Sequence, residues 1–171
     1  MRNTKKTIIS LIIVILLAFG ISNLATYYLI ASIPIEGSSM EPTIHHSDRA
    51  IVYRRANLEY GDIVIFFSEH DNKHLVKRII GFEGDIIEIK QEGNVNYVFR
   101  NNQKIDEPYI KENMDYTQGQ IVVGAGEFYY LGDNRNNSLD SHYGYLGDLD
   151  QVVGKVFLRI NVKEFEFEFL I

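Results

Sequence analysis

The stretch "DIVIFFSEHDNKHLVKRIIGFEGDIIEIKQ", residues 62–91, decides the fold. It holds three runs, "DIVIFFS", "HLVKRIIG" and "DIIEIKQ", rich in β-branched and aromatic residues and broken by polar or glycine-bearing punctuation. None shows a sustained 3.6-residue period, so the runs read as strands rather than as one face of a helix. Outward from this stretch the pattern repeats in "RAIVYRR", "NYVFRN", "EFYYLGD" and "VVGKVFLRI". Between them, "QEGN" and "RNNQ" carry the residues that favour tight hairpin turns. The tail "KEFEFEFLI" alternates strictly, which predicts that Phe165, Phe167 and Phe169 share one face of a final strand. The expectation is one mostly β, antiparallel domain over residues 34–171, without internal repeats.

Before that domain the chain changes character. From Thr7 to Ile35 there is no Asp, Glu, Lys, Arg or His. The run "IISLIIVILLAFGISNLATYYLIASI" is longer than the ~20 residues that cross a bilayer. Residues 1–6 are therefore expected to be a cytoplasmic N-terminus, 7–33 a transmembrane helix that anchors the chain in the cell membrane, and 34–171 an extracytoplasmic domain. The orientation follows from Arg2, Lys5 and Lys6, because cations stay on the cytoplasmic side. Tyr27 and Tyr28 stand where amphipathic rings favour the far interface. Ala18 and Gly20 offer the competing reading of a cleaved signal peptide, but apolar character continues well past them.

Composition narrows the chemistry. The chain has 171 residues and no cysteine, so disulfides and thiolate metal sites are excluded. Three of its 17 Lys+Arg precede the apolar run and all 23 Asp+Glu follow it, leaving an acidic domain ill suited to nucleic-acid phosphates. His70, Asp71 and His74 lie in a polar loop, where spacing gives no helical ligand face, and no metal or other cofactor is expected. The five histidines come without a G-x-S-x-G elbow, which weakens a Ser-His-Asp reading.

Three features bear on catalysis. Lys77 lies inside an apolar run. With period two, Leu75 and Ile79 share its face, and Val76, Arg78 and Ile80 take the other. Loss of hydration there disfavours the ammonium and suits a lysine to act as a base, whereas an ordinary reading is a lysine guarding a strand edge. Ser39 lies in "GSSMEPT", residues 37–43, a stiff loop able to aim a hydroxyl and backbone N–H groups at one point. A plain turn residue is the alternative. "GDNRNNSLDSHYG", residues 132–144, packs polar residues between glycines, and Asp133, Arg135 and Asp140 are expected to pair within it.

"GSSMEPT", "YGDIVIF", "LVKRIIGFEGD" and "GDNRNNSLDS" follow one another in this order behind the apolar run. Together they resemble the sequence boxes of type I signal peptidases, membrane-bound Ser–Lys proteases that remove signal peptides. The resemblance implies that Ser39 is the nucleophile, its N–H an oxyanion donor and Lys77 the general base. It implies that Ser138 orients the lysine nitrogen and that Asp133, Arg135 and Asp140 hold the third box. It makes Ile35, Met40, Ile44, Leu75 and Val76 candidates for substrate contact. It implies exported preproteins with Ala-x-Ala-like sites as substrates, the lipid bilayer as surroundings, and the β fold of that family. A second serine found in some relatives is replaced by Gly37, so a backbone donor or Ser38 must do more. His142 stands where an arginine is usual. The short separation of Lys77 from Asp133 leaves no room for the large extra domain of some relatives. A non-catalytic membrane-anchored binding module remains the alternative, although both Ser39 and Lys77 are present.

Overall fold

The computed structural model describes residues 2–170, with side chains at all of these except 2–6 and 24–28. A helix, α1 (Arg2–Leu29), leads into the strand β1 (Ile30–Pro34). The helix thus closes before residue 33, where the apolar run was expected to end. Ile30-Ala31-Ser32-Ile33 precedes Pro34, whose ring forces its predecessor toward extended backbone, and β1 gains a full ladder against β2 (Arg49–Tyr53). Every described side chain of α1 from Thr7 to Asn23 is exposed. Among the described residues no helix is long and apolar enough to cross a membrane. The side chains of Arg2, Lys5, Lys6, Tyr27 and Tyr28, on which the expected orientation rests, lie outside the described residues.

The rest is antiparallel β. Strands β3 (Ile63–Ser68), β4 (Lys73–Phe82), β5 (Ile86–Glu92), β6 (Val95–Arg100), β7 (Gln103–Lys104) and β8 (Gln118–Val122) are followed by β9 (Glu127–Leu131), β10 (Gly147–Asp148), β11 (Val152–Asn161) and β12 (Glu166–Phe169). One sheet runs β1-β2-β11-β3-β4-β9-β10, with β12 added to β11, and the other runs β7-β6-β5-β8. The expected hairpin loops form as two-residue turns. Gly93 adopts positive φ between β5 and β6, and Asn101 and Asn102 do so between β6 and β7. Phe165 departs from the alternation expected of the tail. It sits in the turn before β12 at φ 55°, while Phe167 and Phe169 lie in the strand.

Three apolar clusters position what matters. One joins Ile35, Met40 and Ile44 to Ala50, Val52, Ile63, Ile65 and Val156. A second fills the space between the sheets with Ile80, Ile87, Val98, Tyr129 and Leu131 among others. The third stacks Phe66 edge-on against Phe128 and Tyr130, with ring centroids 5.0 and 4.8 Å away. Among the described residues two backbone edges near the serine loop stay open. β1 pairs only with β2, and β4 gains β9 as a second neighbour only from Arg78 onward, so residues 73–77 pair on one side alone.

Candidate active site

The two open edges line one cleft of about 570 Å³, with residues 33–39 as one wall and 73–77 as the other. Ser39 and Lys77 end these walls, and Lys77 Nζ lies 2.6 Å from Ser39 Oγ. Lys77 is only 3% exposed. Burial pulls its pKa from 10.5 down to about 8, partly opposed by the charges of Asp140, Asp71 and Asp133 and reinforced by Lys73. No carboxylate pairs with it among the described residues, so desolvation is not cancelled.

The serine loop is fixed from below and from the side. Met40 and Ile44, 1% and 0% exposed, anchor it in the first cluster, with Ile44 N–H donating to the Met40 carbonyl at 2.9 Å. These two residues anchor the loop in the core and are not among those that line the cleft. Of the five candidates, Ile35, Leu75 and Val76 line the cleft, joined by Ile33 and Ile65. From the side, Asn134 N–H donates to the Ser39 carbonyl at 3.0 Å, Asn134 Nδ2 to the Ser38 carbonyl at 3.0 Å, and Asn137 Nδ2 to Ser38 Oγ at 3.0 Å. Gly132 lets the two loops meet. A Cβ there would stand 2.4 Å from the Ser39 carbonyl and 2.3 Å from Ser138 Oγ. Among the described residues the Ser39 N–H has no partner, and Gly37 N–H donates to His46 Nδ1 at 3.2 Å.

Pairing inside residues 132–144 is not what the sequence suggested. Asp133 and Arg135 find their side-chain partners outside this stretch, and Asp140 finds its own within it. Arg78 grips the buried Asp133 with two bonds, Nε to Oδ1 at 2.9 Å and Nη2 to Oδ2 at 2.6 Å, and Thr43 Oγ1 donates to the same carboxylate. Arg135, fully buried, binds the Glu107 carboxylate with both terminal nitrogens and gives its Nε to the Gly132 carbonyl at 3.0 Å. Asp140 accepts from Gly132 N–H at 2.9 Å and meets His142 Nδ1 at 2.7 Å. His142 also stacks on Tyr116, ring centroids 4.1 Å apart, so the histidine braces the loop from both Asp140 and Tyr116. Ser138 Oγ is buried without a hydrogen-bond partner and does not bond to Lys77. Sequence reasoning missed Arg78, Glu107, Asn134 and Asn137. Only Arg78 carried a signal, as the cation on the opposite strand face from Lys77. No group of three or more potential ligands that could hold a metal occurs among the described residues.

A buried lysine nitrogen against a loop serine, with an unpaired N–H beside it, is equipped for acyl transfer. Residues 7–161 match the family described as "Signal peptidase, peptidase S26". The chain belongs to the signal peptidase family. It is 34% identical to signal peptidase IB of Staphylococcus aureus strain MRSA252, over 96% of each chain. It is 32% identical to signal peptidase I of Bacillus licheniformis, covering 87% of this chain and 85% of that one. A crystal structure of a signal peptidase I from Enterococcus faecalis V583 aligns with a TM-score of 0.45 and 23% identity, covering 59% of this chain and 97% of the other. The protein is accordingly a signal peptidase I serine endopeptidase, acting on preproteins that bear signal peptides, in a family whose members are typically membrane-bound.

Proposed function

We propose that Ser39 and Lys77 form the catalytic dyad, and that the chain cleaves exported preproteins at Ala-x-Ala-like sites from a position at the membrane surface. The 2.6 Å approach of Lys77 Nζ to Ser39 Oγ, at the end of a cleft between two open strand edges, carries this reading. An extended substrate adds to the free edge of residues 73–77, where backbone groups lack a second neighbour. Ile33, Ile35, Leu75 and Val76 then give the substrate's side chains an apolar wall.

The steps follow from the protonation state of Lys77. Neutral Nζ takes the Ser39 hydroxyl proton as Oγ attacks the scissile carbonyl carbon. The carbonyl oxygen becomes an oxyanion and receives the Ser39 N–H. Collapse breaks the C–N bond, and the Lys77 ammonium passes its proton to the departing amine. Neutral again, Lys77 deprotonates a water that attacks the ester at Ser39, and the resulting ammonium returns that proton to Ser39 Oγ as the ester C–O bond breaks, which frees the signal peptide's C-terminal carboxyl group. Asp133, Arg135 and Asp140 act at one remove, by holding the loop that clamps Ser38 and Ser39. Ser138 lies in that loop beside the Ser39 carbonyl and acts through its packing.

Exposed apolar surface favours placement against lipid. The side chains of α1 described from Ile8 to Ile21 are at least half exposed at every large hydrophobic position, and no described residue covers them. The strand face continuing from Ile30 through Tyr53, Ile51, Leu158, Ile160, Phe167 and Phe169 is likewise unpartnered. Ser39 follows β1 closely, so the site stands near the depth at which a signal peptide leaves its own apolar segment. The test is incubation of the full-length chain in detergent with a preprotein bearing an Ala-x-Ala site, with products mapped by mass. Cleavage after the second alanine, lost in Ser39→Ala, is expected. A cut elsewhere, or one retained by Ser39→Ala, contradicts the proposal.

A further inference from the structure

Both walls of the cleft run toward the dyad and end there, at Ser39 and Lys77. A polypeptide with its scissile carbonyl at Ser39 therefore has one arm in the cleft and must send the other past these residues. Asn137, which bonds Ser38 beside the dyad, and Leu139 also line this cleft. The same two residues line a second hollow of about 500 Å³, together with Tyr116, Ser138, His142 and Tyr143.

This hollow has the surface of a recognition site rather than of a packed joint. Tyr143 is 60% exposed and Leu139 43%, side by side with polar neighbours. The Tyr143 ring is supported by the His142 ring at 3.8 Å, and His142 is itself held by Asp140 and Tyr116. An aromatic surface stiffened from behind loses little entropy on binding. Two buried polar atoms in the lining, Ser138 Oγ and Tyr116 Oη, have no hydrogen-bond partner. Asn137 gives one amide N–H to Ser38 Oγ, which leaves its side-chain carbonyl to accept from an incoming backbone N–H.

We propose that the second hollow receives the stretch of the preprotein that follows the scissile bond, and that Tyr143 and Leu139 favour an apolar or aromatic side chain among its first three residues. The assignment rests on the reading above, in which the signal-peptide side occupies the cleft of Ile35, Leu75 and Val76. Continuity through Asn137 and Leu139 makes the released chain the natural occupant. The hollow then adds a preference for what the mature protein begins with, separate from the small-residue requirement on the other side.

The experiment uses peptides with one fixed signal side and a five-residue extension after the scissile bond, all glycine or with Phe at the first, second or third place. The readout is the ratio of kcat/KM for each Phe peptide to the all-glycine peptide, measured with the full-length protein in detergent. At least one position should give wild type a ratio of roughly tenfold, the scale of one aromatic contact. In Tyr143→Ala that ratio should fall to near one, and in Tyr143→Leu part of it should survive. A wild-type ratio near one at all three positions overturns the proposal, as does a ratio left intact by Tyr143→Ala. If wild type cleaves none of the peptides, the reading of the cleft falls as well, and the two failures are thereby distinguished.

Discussion

Lys77 and Arg78 are neighbours on one strand, yet their surroundings are opposite. Arg78 meets a carboxylate fully buried at Asp133, adds a bond to the Gly61 carbonyl at 2.7 Å, and lays its guanidinium 3.8 Å from the Tyr109 ring centroid. Lys77 is more deeply placed and, among the described residues, has only the Ser39 hydroxyl as a side-chain partner. On the proposed reading, one strand supplies both a brace and a base. Period-two alternation sends successive cations to different environments, and the presence or absence of a counter-ion decides their roles. A paired guanidinium keeps its proton and fixes geometry. An unpaired, desolvated amine loses its proton near neutral pH and can take another.

The comparison is broken most severely at the dyad. Ser39→Ala and Lys77→Arg should each lower kcat/KM by at least ~10³-fold, because one removes the proposed nucleophile and the other a group able to be neutral. Peptide hydrolysis checks this, with circular dichroism to confirm folding. On the Arg78 side the loss should be of stability. Arg78→Ala leaves Asp133 buried without its partner and should cost about 3–5 kcal/mol in denaturant unfolding.

Exchanging the base for an apolar residue should act in the reverse direction. Because the folded pKa of Lys77 is depressed to about 8, the ammonium is penalised in the folded state at every pH below that value. The unfolded chain holds the extra proton between about pH 8 and 10.5, so stability rises with pH across that window. Lys77→Met should therefore be more stable than wild type at pH 7, by roughly 2–3 kcal/mol, and the advantage should fade between about pH 8 and 10.5. Unfolding at several pH values in detergent measures the difference. The smallest effect belongs to His142→Gln. It loses the Asp140 contact and the stacking on Tyr116 in part, and should cost about 1 kcal/mol or less with activity within tenfold of wild type.

Much of this was legible in the sequence, for reasons that differ by region. β2 to β6, β9 and β11 announced themselves because each is a short apolar run between turn residues. β1 was hidden because its residues extend the apolar character of α1 without a break. β8, "QGQIV", escaped because glycine and glutamine on an exposed strand carry no alternation. Ser39 and Lys77 stood out through their boxes. Their supports did not, because Arg78 meets Asp133 across 55 residues and Glu107 meets Arg135 across 28, and nothing local marks such pairs. The burial of Met40 and Ile44 was not legible, because an apolar residue beside a loop serine reads the same whether it lines a cleft or anchors the loop beneath it.

The central claim is that Lys77 is uncharged when the enzyme works. Its direct measurement is the titration of Lys77 by NMR in full-length protein carrying ¹³C-labelled lysine, with the resonance identified by its absence in Lys77→Met. The account predicts a pKa of about 8, with kcat/KM rising through the same value as pH increases. A Lys77 that titrates near the ordinary lysine value of ~10.4, while activity is already full at neutral pH, would contradict it.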